Sequence, residues 1–107
     1  MKICVTSIGN NLEAQVDQRF GRCLFFIIVD SETMQFKAIQ NMAANNRGGA
    51  GVSSAQLILD EGVEVLITGN VGPNALGALQ NSNIKIVTGA SGNVKEAVER
   101  YLSGKGW

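Results

Sequence analysis

The chain has 107 residues, 45% of them hydrophobic and 17% charged, which predicts one soluble globular domain over residues 1–107. Nine basic residues balance nine acidic ones, which argues against a general attraction to nucleic acid or to an anionic membrane. Because the N-terminus shows no apolar leader or spanning segment, we expect a cytoplasmic protein whose Cys4 and Cys23 are reduced.

Three strands are predicted in the first part of the chain. Residues 2–6 form a short strand pattern, and residues 23–30 form a longer, continuously apolar run typical of a strand buried on both faces. Residues 35–40 are more polar, as expected of an antiparallel return strand near a sheet edge. The second and third strands are therefore predicted to form a hairpin.

The second part of the chain alternates between helix and strand patterns. Apolar residues recur at helical spacing from Val52 to Leu59, and Gly62 supplies a stop. A strand at 63–68, a helix at 73–80, a strand at 84–87 and a helix at 93–102 follow. In the last helix, Asn93 and Glu96 have the spacing of an N-terminal capping pair. The predicted order is βββαβαβα.

This order predicts an α/β fold of three layers, with a mixed five-stranded sheet and helices on both faces. We expect the strands in the spatial order 3-2-1-4-5, with the later strands parallel to the first. The loops at 7–10 and 69–74 would then lie side by side where the strand order reverses, a place where α/β proteins bind ligands. A crevice is therefore predicted between these two loops.

The junction after the fourth predicted strand has the composition of an anion site. Gly69, Asn70, Gly72 and Asn74 lie where a strand gives way to a helix that begins with proline. Glycine lets a ligand approach the backbone, and the first turn of a helix has free N–H donors with partial positive charge. The alternative interpretation is that the two glycines only permit a tight turn.

A second glycine-rich helix start lies at 45–51. It contains Arg47, Gly49 and Gly51, and we expect it to form a third wall of the same crevice. Neither glycine segment matches the pattern of a phosphate-binding P-loop or of a dinucleotide fingerprint. Nucleotide binding is therefore a weak alternative.

Two arginines precede the long apolar strand. Arg19 and Arg22 bracket Gly21, and such a pair can hold a carboxylate, a phosphate or an anionic metal cluster. The local alternative is that Asp17 pairs with Arg19, that Phe20 enters the core, and that Arg22 donates to a loop carbonyl. Composition alone does not decide between the two readings.

The thiols and the missing histidines limit the possible chemistry. Cys23 lies where a thiolate would reach the crevice, whereas Cys4 lies inside a short strand and is expected to be buried. The chain contains no histidine, which excludes Ser-His-Asp and Cys-His catalytic sets and the usual closed zinc site. Residues 2–7 and 65–70 contain no carboxylates, so ribonuclease H-type metal catalysis is not expected. We therefore expect a protein that is not an enzyme.

Three motifs resemble those of the dinitrogenase iron-molybdenum cofactor biosynthesis family. They are DQRFGR at 17–22, GGAG at 48–51 and GNVGPNA at 69–75. The resemblance spans nearly the whole chain and implies a ribonuclease H-like fold. It also implies a small carrier or accessory protein that binds an iron-sulfur cluster or an iron-molybdenum cofactor precursor, with a cluster donor or acceptor protein as a possible partner.

Combined with the residue analysis, the resemblance gives a defined candidate site. The cofactor-binding residues would be Arg19, Arg22, Arg47, Gly49, Gly51, Gly69, Asn70, Gly72 and Asn74. Some cluster-carrying members of the family are thought to use a histidine or cysteine near the glycine-rich loop, which here leaves Cys23 as the candidate metal ligand and Cys4 as a weaker one. The competing hypotheses are a regulatory or interaction module that binds a small anionic metabolite in the same crevice, and a scaffold without a ligand.

Overall fold

The computed structural model describes residues 1–44 and 49–107, and these residues contain a five-stranded mixed sheet. The strands are β1 (Lys2–Ser7), β2 (Phe25–Asp30), β3 (Phe36–Gln40), β4 (Val65–Ile67) and β5 (Lys85–Val87). Their spatial order is β3-β2-β1-β4-β5. β2 is antiparallel to β1 and β3, whereas β4 is parallel to β1 and β5. The predicted sheet order and the hairpin are confirmed.

The described residues also form three helices, α1 (Ala50–Asp60), α2 (Pro73–Gln80) and α3 (Val94–Leu102). α2 has the predicted bounds because proline opens it, and α3 begins with the predicted capping box between Asn93 and Glu96. α1 ends where Gly62 takes a φ of 77°. Within the described residues, no helix has the length and apolar character needed to cross a membrane.

The sheet divides the buried apolar side chains into two layers. Successive residues of β1 point to opposite faces, so Ile3 and Val5 join the cluster that contains α3, whereas Cys4 joins the cluster that contains α1 and α2. The sheet therefore has α3 on one face and the other two helices on the other face. This arrangement agrees with the predicted three layers, while the relation to ribonuclease H-like folds stays a prediction.

The segment between β1 and β2 crosses the ends of the neighbouring strands β1 and β4, where the strand order reverses. The Thr6 hydroxyl donates to the Asp17 carbonyl at 2.7 Å, and the Asn70 amide donates to the Gln18 carbonyl at 2.7 Å. Gly69 lies so close to this segment that a Cβ atom there would be 2.6 Å from the Cα atom of Gln18. The chain itself thus occupies the predicted crevice, and the neighbouring pocket is displaced toward α1 and α2.

Candidate anion-binding site

A pocket of about 290 Å³ lies where three chain segments meet at the starts of α1 and α2. It is lined by Phe20, Gly21, Arg22, Gly49, Ala50, Gly51, Gly72, Pro73, Asn74 and Ala75. Five of these were expected in the site from the sequence, namely Arg22, Gly49, Gly51, Gly72 and Asn74. The loop at 7–10, which was expected to form one wall, does not line this pocket, because the segment that precedes β2 lies there instead.

The two helices that begin at the pocket lack the features that neutralise a helix N-terminus. The N-cap residues of α1 and α2 are Gly49 and Gly72, neither of which makes a side-chain cap hydrogen bond, and neither first turn contains an acidic residue. α3 is different, because Asn93 caps it and Glu96 lies in its first turn. The first N–H groups of a helix have no intrahelical acceptor and carry partial positive charge. The pocket therefore lies beside two uncapped helix starts, which favour an anion.

Close glycine packing joins the three walls of the pocket. A Cβ atom on Gly21, whose φ is 94°, would lie 2.9 Å from the Cα atom of Gly51. A Cβ atom on Gly51 would in turn lie 2.9 Å from the Cβ atom of Ala75. Gly72 is different, since no atom lies within 4 Å of its Cβ position. Gly21 and Gly51 thus set the spacing of the walls, whereas Gly72 borders open space.

Arg22 contributes a charged side chain to the pocket lining. Its Nη1 atom donates to the carbonyl of Ala44 at 2.7 Å. This contact is the hydrogen bond to a loop carbonyl that the purely structural interpretation of Arg22 predicts. The other two contacts of that interpretation are also present. Phe20 is only 6% exposed, and Asp17 Oδ1 lies 3.5 Å from Arg19 Nε. Arg22 therefore has a structural contact and a place at the pocket at the same time.

Several residues that were expected in the site lie outside this pocket. The Arg19 side chain is 68% exposed beside Asp17. Gly69 packs against Gln18, and the Asn70 carbonyl accepts the amide of Phe20 at 3.0 Å. These contacts give both residues a structural role in holding the segment that precedes β2. Arg47 lies outside the described residues.

The structure does not bring Cys23 to the pocket, contrary to the expectation from the sequence. The side chain is 0% exposed and belongs to the core between the sheet and the helices α1 and α2. Burial, followed by the nearby Asp17 carboxylate, raises the pKa of Cys23 to about 12. Burial also raises the pKa of Cys4 well above its ordinary value. Both thiols are therefore neutral at neutral pH. Cys23 misses the pocket because its side chain, just before β2, packs into this core.

No cluster of three or more histidine, cysteine, aspartate or glutamate side chains able to hold a metal ion occurs in the part of the chain that the structure describes. A guest of the pocket would instead meet the two helix starts and Arg22, which line it. Such groups hold an anion by hydrogen bonding and charge rather than by coordinating a metal. Metal bound there would have to bring its own ligands.

Comparison with known families matches residues 1–104 to the family described as dinitrogenase iron-molybdenum cofactor. The chain belongs to this family. The resemblance carried by the three motifs is thereby confirmed over almost the whole sequence. An uncharacterised protein of Methanocaldococcus jannaschii is 34% identical, with 98% of this chain and 88% of that protein aligned.

Solved structures of similar proteins agree with this membership. The apo form of the orange protein from Desulfovibrio gigas superposes with a TM-score of 0.93 at 40% identity, covering 97% of this chain and 88% of that chain. A putative NifB protein from Thermotoga superposes with a TM-score of 0.84 at 33% identity, covering 97% and 89%. The family and these neighbours support an accessory role related to a cofactor.

Proposed function

We propose that this protein is a non-enzymatic carrier or accessory protein that holds an anionic iron-sulfur or iron-molybdenum cofactor precursor in the pocket between α1 and α2. One observation carries the proposal. Two helix starts without side-chain caps or acidic first turns border one pocket, and Arg22 lines the same pocket. Membership of the family supports the chemical class of the guest.

The buried thiols limit how such a guest would be held. Cys4 and Cys23 are both fully buried, and the pKa of each is raised, so neither presents a thiolate to the pocket at neutral pH. The guest would therefore arrive with its own sulfur ligands and be held through them. Backbone amides near Gly51 and Asn74 would donate to those ligands, and Arg22 would supply positive charge. This mode of binding lets the guest leave without breaking a bond between metal and protein.

The carrier role implies a protein that donates the cluster or accepts it, and we place this exchange in the cytoplasm. The role requires neither nucleic acid nor a membrane. A guest that is held by hydrogen bonds is readily released to another protein, because each bond contributes only about 1 kcal/mol to its binding. The exposed residues Gly49, Gly72 and Asn74 place the pocket at the molecular surface. A partner can therefore reach the guest directly.

The test is anaerobic mixing with an iron-sulfur cluster or a cofactor precursor, followed by size-exclusion chromatography. The expected result is a visible charge-transfer absorption that co-elutes with the protein. Arg22→Gln should weaken this binding about tenfold, because it removes a charged hydrogen-bond donor. Lys95→Gln is the matched control, since it removes one positive charge from α3, which does not line the pocket. Equal effects of the two substitutions would contradict the proposal.

The second candidate function is a regulatory or interaction module that binds a small anionic metabolite. The same observation supports it, because backbone amides and a guanidinium recognise phosphate or carboxylate as readily as a cluster. A cavity of about 290 Å³ is near the lower end of the size range of small-molecule sites. A thermal-shift screen without metal separates the two functions. If a colourless anion raises the melting temperature while clusters do not, the metabolite function is correct.

A further inference from the structure

A buried asparagine outside the pocket holds both the backbone around Arg22 and the turn whose carbonyl accepts the Arg22 guanidinium. Asn41 is only 5% exposed and follows β3 directly. Its Nδ2 atom donates to the carbonyls of Gly21 at 3.1 Å and of Cys23 at 2.9 Å, which are the chain neighbours on either side of Arg22. One carboxamide thus holds the backbone from which the Arg22 side chain projects.

The same asparagine holds the acceptor of the Arg22 guanidinium. Asn41 Oδ1 accepts the amide of Ala43 at 3.1 Å, and the Asn41 carbonyl accepts the amide of Ala44 at 3.3 Å. These two bonds form a tight turn whose last carbonyl, that of Ala44, accepts Nη1 of Arg22 at 2.7 Å. The base of the arginine and the acceptor at its tip are therefore fixed by one residue.

From this arrangement we propose that Asn41 is a positioning residue that sets the direction of the Arg22 side chain at the pocket. The importance of Asn41 for anion binding rests on the proposed function. The positioning of the Arg22 side chain is a property of the free protein. A buried amide with several satisfied hydrogen bonds is suited to the task, because breaking any of them leaves a polar group unpaired. If the carboxamide only closed the turn, the effect of replacing Asn41 would not depend on Arg22.

The experiment is a double-mutant cycle with molybdate as the probe anion, measured by titration calorimetry. Arg22→Gln should weaken binding about tenfold. Asn41→Leu keeps the size and adds no charge but loses both the Nδ2 donor and the Oδ1 acceptor for Ala43, and should weaken binding roughly three- to tenfold. In the Arg22→Gln background the same substitution should change affinity less than about twofold, since the residue it positions has gone. Asn81→Ala, an exposed asparagine at the C-terminal end of α2, is the control and should change nothing.

Equal losses from Asn41→Leu in both backgrounds, or no loss in a folded variant, would overturn the inference. A second measurement does not depend on binding: the nitrogen resonances of the Arg22 guanidinium in the free protein. Restricted rotation in the wild type that becomes free in Asn41→Leu supports positioning, whereas unchanged rotation refutes it. If the wild type binds no molybdate and Arg22→Gln has no effect, the proposed anion site has failed, and the resonances still decide the role of Asn41.

Discussion

The Cα atom of Gly51 packs against Gly21 so closely that a side chain at position 21 would meet it at 2.9 Å. This contact brings the segment before β2 onto the first turn of α1. On its other side Gly51 faces Ala75 of α2. The pocket walls are therefore held together by contacts that only small residues allow, and their separation responds to the addition of a single methyl group.

Gly51→Ala should destabilise the protein, because its methyl group would lie 2.9 Å from the Cβ atom of Ala75. We expect a loss of about 1–3 kcal/mol in the free energy of unfolding, more than the gain of up to about 1 kcal/mol from helix propensity. Urea denaturation measures it. Ala75→Gly, which removes the opposing methyl group, should cost less stability in the Gly51→Ala background than in the wild type. Equal costs in the two backgrounds would show that the clash is not the cause.

Gly72→Ala should fold normally but bind an anion more weakly. Its φ of −70° suits alanine, and no atom lies within 4 Å of the Cβ position, so the methyl group meets no protein atom. It would, however, hinder the approach of a guest to the backbone at the pocket. Gly77→Ala is the matched control, because it also meets no atom but lies within α2 outside the pocket lining. It should stabilise the protein by up to about 1 kcal/mol and leave affinity unchanged. Equal affinities for the two variants would contradict the placement of the site.

Cys23→Ala should leave the binding of an anionic cluster unchanged within about twofold, since the buried thiol does not line the pocket and its loss removes no pocket contact. The measurement is the amount of visible absorption that co-elutes after anaerobic loading. Cys4→Ala is the companion variant and should behave in the same way. Loss of the absorption in Cys23→Ala alone, with the fold intact, would restore Cys23 as a metal ligand.

Stability should fall with rising pH above about pH 9, because the pKa of Cys23 is raised from its ordinary 9.0 to about 12. In that window the unfolded thiol loses its proton while the folded one keeps it, so alkali favours unfolding. The contribution of Cys23 should be about 1.4 kcal/mol per pH unit up to about pH 12 and absent below pH 9. Denaturation of the wild type and of Cys23→Ala between pH 7 and pH 11 tests this. The variant should show a shallower decline, and parallel curves would contradict the assignment.

The elements that were predicted correctly are those with a local cause. Proline starts α2, Asn93 and Glu96 start α3, and Gly62 ends α1, each through bonds to residues a few positions away. The sheet order followed from the order of strands and helices along the chain and from the preference for right-handed connections. Both kinds of signal are readable without knowledge of distant contacts.

The features that were missed depend on contacts between distant segments. No sequence pattern indicates the role of Asn41, because its partners Gly21 and Cys23 lie about twenty positions away. The filling of the crevice by Gln18 and the inward turn of Cys23 depend on how one irregular segment crosses the ends of the strands. No periodicity marks such a path. The sequence therefore indicated the two helix starts that line the pocket. It placed the loop at 7–10 where the segment before β2 forms the third wall.

The segment around Gln18 covers the ends of the paired strands β1 and β4, where Asp17 and Gln18 accept hydrogen bonds from Thr6 and Asn70. A guest that rests on the starts of two helices never enters the strand layer, so loading and unloading require no parting of the sheet. If the protein is the carrier proposed above, it would exchange its guest at the rate of encounters between proteins, not at the much slower rate of local unfolding.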